Sequence, residues 1–292
     1  MIDNNIHNVM DRIKTMLAQE KATRCCDYFQ TKDCNFDVDE SSRESIVVWY
    51  QQLSDALDLS PETIWIALSF FDRYLSSGEG KSKKALEDKH KFQVVAITAF
   101  YTAIKAYEPV EVAAIALGKI CQDYYSIVKI SSIEKDMLFT LHWRVSCPTS
   151  MEFVRHFVAL LPERIHDSSI LEDIIGTSLQ HLNHAVTDFY FAFHTPSVVG
   201  ACCLASTLIG TDVLSSSERR SFYLKLARIV DLIDVMEAQI KLLNGRPLCK
   251  PITVSNIILK SRSIIRSDST LPHGRVAISS TPVAFIVAAP TA

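Results

Sequence analysis

The sequence predicts an all-α protein: two tandem five-helix repeats behind an extra N-terminal helix. Three observations carry this. Apolar residues recur at spacings of three and four from end to end, the period of one helix face. Glycine is scarce, at 8 of 292 residues. The long apolar stretch Lys91–Pro109 has a looser counterpart roughly 100 residues later, as two similar helical halves would show.

The elements follow in order. Asn8–Gln19 reads as an amphipathic leading helix with Val9, Ile13 and Leu17 on one face, and Lys21–Asp39 is polar and irregular. Residues 1–39 are therefore a lead-in. Glu40–Ser42 opens a helix to about Leu57, with Ile46, Trp49, Tyr50 and Leu53 inward. Ser60-Pro61 is an N-cap followed by proline at the first helical position, and Ile64, Leu68, Phe71 and Leu75 form the stripe behind it. Ser76–His90 reads as a solvated, lysine-rich connection.

Lys91–Pro109 is the central helix of the first half. Ala96, Ala99, Ala103 and Ala106 make a small-residue stripe that lets another helix approach, while Val95, Phe100 and Ile104 face elsewhere. Pro109 stops it, and Lys105 sits in its last turn. Val110–Cys121 reads as a short helix, with Tyr124 and Tyr125 in the turn after it. Ile127–His142 follows, with Ile130, Ile133, Met137 and Leu141 inward.

Cys147-Pro148-Thr149 marks a boundary, so the halves are 40–147 and 148–245. Helices are expected at Ser150–Leu161, Ile170–Ala185, Pro196–Ile209, Ser217–Val230 and Val235–Asn244. Val198-Val199-Gly200 matches Val94-Val95-Ala96 of the first half. Asn244-Gly245 with Pro247 is a helix stop, and 246–292 loses the periodicity and reads as a mobile tail.

Composition narrows the function. A net charge of −3 gives no broad drive toward nucleic acid or an anionic membrane. No apolar run approaches the roughly 20 residues that span a bilayer, and Met1–Asn8 is too polar for a signal peptide. The adjacent pairs Cys25–Cys26 and Cys202–Cys203 read as buried small hydrophobes in a reducing compartment. An intracellular, soluble protein is expected.

Catalytic chemistry finds no foothold. Gly78-Glu79-Gly80-Lys81-Ser82 resembles the end of a phosphate loop, but Leu75 stands where a glycine is needed and a helix precedes it. His181 and His184 share a helix face without an evident third ligand, so no metal is expected. No Cys-x-x-Cys and no Gly-x-Ser-x-Gly occurs. The carboxylates Asp72, Glu134 and Asp136 read as solvated faces or ion pairs. A binding scaffold without cofactor fits better than an enzyme.

The residues at this point resemble a family. Arg43 and Trp49, then SPETIWIALSFFDRYLS (60–76), QVVAITAFYTAIKAYEP (93–109) and IEKDMLFTLHWRVSCPT (133–149), are similar in order, spacing and chemical type to a cyclin box. Leu-x-Trp-x-Val-x-x-Pro-Thr at 141–149 resembles the family's exit from the fifth helix. Met151 to about Asn244 resembles the second cyclin fold more loosely. The leading helix and SSERRSFYLKLARIVDLIDVMEAQIKLL (216–243) are most similar to D-type cyclins.

The resemblance implies a regulatory subunit, not itself an enzyme, that binds and activates a cyclin-dependent protein kinase. It implies a G1-type role in cell-cycle control, in nucleus and cytoplasm, with kinase substrates or inhibitors as further partners. Lys105 and Glu134 match the positions that contact the kinase helix carrying its active-site glutamate, and Tyr125, Leu138 and Trp143 would line that contact. Arg43 and Asp72 match a structural ion pair. Ile46, Trp49 and Gln93 fit a substrate-docking patch, but Ser42 and Ser45 stand where apolar residues are expected, which weakens it. Ala106 and Glu108-Pro109 also depart from the common pattern and leave the kinase unspecified. Thr281-Pro282 matches a proline-directed phosphorylation site. The alternative is a transcription-associated cyclin-fold scaffold holding other proteins or DNA. That use calls for a basic face over both halves, whereas Lys81–Lys89 is one local run.

Overall fold

Helix ends form where the sequence supplies caps. Asp39 and Ser42 make a reciprocal capping box that starts α2 (Glu40–Leu57). Ser60 accepts from the Glu62 amide, with Pro61 opening α3 (Pro61–Ser76). Asp88 accepts from the amides of His90 and Lys91 at the start of α5 (Lys89–Tyr107). Thr149 with Glu152, and Ser215 with Glu218, box the starts of α7 (Ser150–Phe157) and α11 (Ser216–Leu226). The remaining helices are α1 (Ile2–Glu20), α4 (Gly80–Leu86), α6 (Ile127–Thr140), α8 (Glu163–His166), α9 (Ser169–Ala185), α10 (Pro196–Ile209) and α12 (Leu232–Asn244).

This computed structural model describes residues 2–30, 36–109, 111–112, 126–166, 169–209, 211, 213–244 and 275–276. Among these, the one departure from helix and loop is a two-residue parallel pairing of Glu111–Val112 with Arg275–Val276. Tyr125, Thr281, most of the expected helix at Val110–Cys121 and nearly all of the expected tail lie outside the described residues; within that expected helix, Glu111 and Val112 are described and are extended instead. No described helix is long and apolar enough to cross a membrane, and no described group of three His, Cys, Asp or Glu could hold a metal.

The chain divides into two compact units, 28–145 with 251–292, and 1–27 with 146–250. The leading helix is thus not a separate lead-in. It belongs with the second half, where α1 packs on α7 and α10 and buries Ile13 and Met16 completely.

In the first-half unit α5 is the hub. From Phe92 to Ile104 every residue but the half-buried Tyr101 is buried, and the helix meets α2, α3, α4 and α6. The stripe differs from expectation at its end: Ala96, Ala99 and Ala103 are buried, but Ala106 is exposed. Val95, Phe100 and Ile104 are buried too, so the helix is enclosed on most sides rather than along one stripe. Pro109 acts one residue early: Glu108 leaves the helical region at ψ 142°, as the residue before a proline tends to. The Tyr50 hydroxyl donates to the Ala96 carbonyl at 2.6 Å, fixing α2 against the hub.

The Ser76–His90 connection also needs correction. It contains α4, which buries Ser82, Ala85 and Leu86. Two apolar residues are too few for a visible period. The turn before α4 uses Gly78 at φ 63°, the helix opens on Gly80 at φ 55°, and a Glu79–Ser82 capping box starts it.

Arg43 and Asp72 join α2 to α3 inside this unit. Nε donates to Oδ1 at 2.9 Å and Nη2 to Oδ2 at 2.8 Å, with both side chains buried. The Tyr28 hydroxyl donates to the same Oδ1 at 2.8 Å. Of the two readings open for Asp72, solvated face or ion pair, the ion pair holds.

In the second-half unit α10 is the hub, buried from Ser197 to Leu208 and packed by α7, α9 and α12. Cys202 and Cys203 are buried there as small hydrophobes, and burial raises the Cys203 thiol well above its ordinary range. Cys25 and Cys26, by contrast, are half-buried and exposed. The expected Ser150–Leu161 helix gives way to a 3-10 turn at Val158–Leu160. The Ser217–Val230 helix ends early at Leu226, and α12 begins at Leu232, before the expected Val235.

Gly200 is where α7 crosses α10 most tightly. A Cβ built there would lie 2.6 Å from the Ser150 carbonyl oxygen and 3.1 Å from Phe153 Cβ. The first obstacle is backbone and cannot swing away. Gly200→Ala should therefore destabilise the protein by about 1–3 kcal/mol, although alanine is the better helix former. Thermal unfolding checks this, and an unchanged or raised Tm refutes the close crossing.

Glu20 ties the end of α1 to the start of α10. Its Oε1 accepts from the Ser197 hydroxyl at 2.7 Å and its Oε2 from the Ser197 amide at 3.0 Å. A carboxylate from far along the chain so satisfies an amide at a helix N-terminus, where negative charge is favoured. Burial nevertheless lifts the Glu20 pKa above 4.5, outweighing the lowering by Ser197, Arg24 and Lys21. The folded state then holds this proton to higher pH than the unfolded chain does. The contribution of Glu20 to stability should fall as pH rises through the window just above 4.5. A carbon-detected NMR titration should show Glu20 as a late-titrating glutamate, and a midpoint below the ordinary value would contradict the sign.

Candidate partner-binding surface

The site grows from the last turn of α5 and the length of α6, both in the first-half unit. Ile130 and Met137 are the buried residues that seat α6 on α5. The Tyr74 hydroxyl donates to Asp136 Oδ2 at 2.5 Å and ties α6 to α3. Burial, then the Asp136 carboxylate, pushes the Tyr74 phenol far up, so it stays a donor at any physiological pH. Asp136 is thus engaged in packing.

With α6 seated, Ile127, Glu134 and Leu138 share one stripe at spacings of seven and four. Glu134 Oε1 receives Lys105 Nζ at 2.8 Å and the Thr102 hydroxyl at 3.3 Å. Lys105 is half-exposed, and its ammonium also lies 5.0 Å from the centre of the Tyr101 ring. The lysine does not simply extend along apolar surface. It is held by a carboxylate from the next helix and a ring one turn back.

The chain after α6 turns on His142 and Trp143, at φ 52° and 57°. Two successive left-handed residues reverse the backbone, and the Trp143 amide donates back to the Leu138 carbonyl at 2.9 Å. This reversal leaves the Trp143 side chain exposed, with its ring edge-on to exposed Phe139 at 5.9 Å. The Tyr107 hydroxyl, at the end of α5, donates to the Val145 carbonyl at 2.8 Å, and Arg73 reaches the Arg144 carbonyl at 3.1 Å. The turn is thereby pinned from two helices. Ile127 and Val128 are exposed at the other end of α6, and Leu138 is half-buried.

The structure therefore brings together Lys105, Glu134, Leu138 and Trp143. Tyr125 lies outside the described residues. Sequence reasoning missed Thr102, Tyr107, Val128 and Phe139. Phe139 and Val128 left a readable sign: both are large apolar residues off the buried stripe of their own helix. Tyr107 left none, because its role depends on the turn it pins.

Ile46, Trp49 and Gln93 stand together in sequence expectation but are only 4%, 8% and 9% exposed. Trp49 packs against Tyr50 and Phe100 as part of the core. Ser45 is exposed beside them and adds no apolar surface.

The model of the cyclin N-terminal domain matches residues 11–146. Cyclin-B2-2 of Arabidopsis thaliana is 29% identical over 167 residues, which cover 57% of this chain and 35% of the relative. The G1/S-specific cyclin-D1 of Homo sapiens is 24% identical over 233 residues, covering 79% of this chain and 74% of the relative. The chain spans about a third to a half of the length of several plant relatives, of B, A and F types. The X-ray structure of a viral cyclin from herpesvirus saimiri superposes with a TM-score of 0.57 over 82% of this chain and 97% of that one. At 16% identity this establishes the fold, an all-α cyclin architecture. Residues 11–146 thus match the cyclin N-terminal domain, and the chain as a whole is similar to cyclins in sequence and in fold.

Proposed function

We propose that this chain is a non-catalytic regulatory subunit that binds and activates a cyclin-dependent protein kinase. The observation that carries the reading is the Lys105–Glu134 pair, 2.8 Å apart at the junction of α5 and α6. It stands on the same helices as the exposed rings of Tyr107 and Phe139, with Trp143 just beyond. Aromatic anchors around a charge pair are the composition of a protein interface with few but strong contacts.

The mechanism is a population shift. An isolated kinase of this class holds the helix that bears its active-site glutamate away from the catalytic lysine much of the time. A rigid surface that binds only the inward position stabilises the active state by its differential affinity. Lys105 offers ammonium donors and Glu134 a carboxylate acceptor to backbone groups at the end of that kinase helix. Once the rings exclude water, these charge-assisted hydrogen bonds strengthen. Rigidity comes from the hub: α5 is enclosed, and α6 is bolted to it and to α3.

The reading extends to a G1-type cell-cycle kinase acting in nucleus and cytoplasm. Its substrates are expected to be selected without the patch at Ile46, Trp49 and Gln93, which has almost no open apolar surface. The test is reconstitution with a panel of purified cyclin-dependent kinases. One of them should gain activity and co-elute with the chain; activation of none refutes the proposal. The scaffold alternative requires salt-dependent binding to duplex DNA, which a gel shift on the same preparation decides.

A further inference from the structure

The aromatic end of the candidate surface does not hold itself in place. Trp143 is 61% exposed and Phe139, its ring neighbour, 56%, so the pair gains little by burial. The backbone beneath them is also unfavourable. His142 and Trp143 both have positive φ, and for a residue as bulky as tryptophan that conformation is an outlier. Such a conformation persists only where the surrounding structure over-determines it. Something outside the ring therefore decides where Trp143 stands.

Two sets of hydrogen bonds act on the reversal. The amides of His142, Trp143, Arg144 and Val145 donate to carbonyls between Leu138 and Trp143, at 2.9 or 3.0 Å. These bonds run within the turn and the end of α6, and none reaches α5. From outside, Arg73 Nη1 donates to the Arg144 carbonyl at 3.1 Å and the Tyr107 hydroxyl to the Val145 carbonyl at 2.8 Å. Arg73 is buried on α3 and belongs to the core. Tyr107 is 41% exposed, is the last residue of α5, and stands two residues beyond Lys105. One helix end thus carries the ammonium of the surface and grips the loop that carries the tryptophan.

We propose that Tyr107 is a positioning residue for partner binding: its hydroxyl holds the 142–145 reversal so that Trp143 stands at a fixed spacing from Lys105. This rests on the kinase-binding role proposed for the surface. A ring already presented in its bound place spares the complex the cost of ordering it. The hydroxyl itself is engaged with Val145 and acts through Trp143.

Tyr107→Phe tests this, because it removes one oxygen and keeps the ring. The net worth of a single hydrogen bond sets the size of the effect: the Kd for the activated kinase should rise about three- to tenfold. Circular dichroism and the unfolding temperature should change little, since the bond lies at the surface. Two further measurements separate positioning from direct contact and from a merely structural role. In a Trp143→Ala chain, adding Tyr107→Phe should raise the Kd by less than about twofold, because no ring remains to be placed. In a fluorotryptophan-labelled chain, the fluorine NMR signal that Trp143→Phe removes should narrow in Tyr107→Phe, while the signals of buried Trp49 and Trp65 stay as they are. A parent chain that binds no kinase overturns the kinase-binding role and this proposal with it. Where the parent binds, unchanged affinity in Tyr107→Phe, a full loss that persists without Trp143, or an unaltered Trp143 signal overturns the positioning role alone.

Discussion

Replacing Lys105 and Glu134 together by alanine should weaken kinase binding by about 2 kcal/mol or more, roughly thirtyfold in Kd, and activation should fall with it. The surface pair is worth little to the isolated chain, since half-exposed ion pairs contribute about 0–1 kcal/mol. The unfolding temperature should therefore change little. That separation is the content of the prediction: a large loss in the complex and a small one in the free chain. The single Glu134→Ala variant sharpens it. It frees the Lys105 ammonium and leaves the Thr102 hydroxyl without that acceptor. Isothermal titration with the activated kinase measures the binding, and phosphorylation of a model substrate measures activation. Unchanged affinity in the double variant, with the fold intact, would move the interface away from the α5–α6 junction.

Asp72→Ala should produce the largest loss of stability, about 3–5 kcal/mol, because it leaves the Arg43 guanidinium buried without its carboxylate. Three donors converge on that carboxylate: two from Arg43 and the Tyr28 hydroxyl. Arg43 is 2% exposed, so water cannot replace what is lost. A fall in Tm of roughly 10 °C or more is expected for a chain of this size. The paired replacement Arg43→Met with Asp72→Leu should recover much of it, since no charge is then left behind. A single variant that melts like the parent would show that the site is wetter than its burial implies. A double variant no better than the single would show that the pair holds geometry that packing alone cannot.

These two sites also show how legibility in sequence depends on what a residue does. Lys105 and Glu134 could be marked by motif resemblance, because family spacing survives even where identity is low. What they do to each other could not. Their 2.8 Å contact joins residues 29 positions apart and exists because α6 crosses α5 there. Trp143 was visible as an aromatic, yet whether it faced core or solvent was decided by two left-handed residues whose conformation no periodicity announces. Trp49 carried two readings, the inward face of α2 and a docking pattern, and its packing against Tyr50 and Phe100 decided for the core.

Local rules decided most of the fold. Capping residues, prolines and apolar periods of three and four are read within one or two turns. They located α2, α3, α5, α6, α9 and α10 to within a few residues, and with them the all-α class and the two halves. They failed where the signal was short, as in α4, whose two buried apolar residues cannot make a period. What required the tertiary structure was every assignment resting on contacts between distant segments. Placing α1 with the second half depends on Ile13, Met16 and the Glu20 carboxylate that caps α10 across 177 positions. The close crossing at Gly200 depends on the Ser150 carbonyl. Ile233, Met236, Ile240 and Leu243 on α12 are apolar in sequence like any inward residues, and only their exposure distinguishes them. Periodicity reports that a helix has an apolar side, whereas packing determines which of its apolar residues are covered.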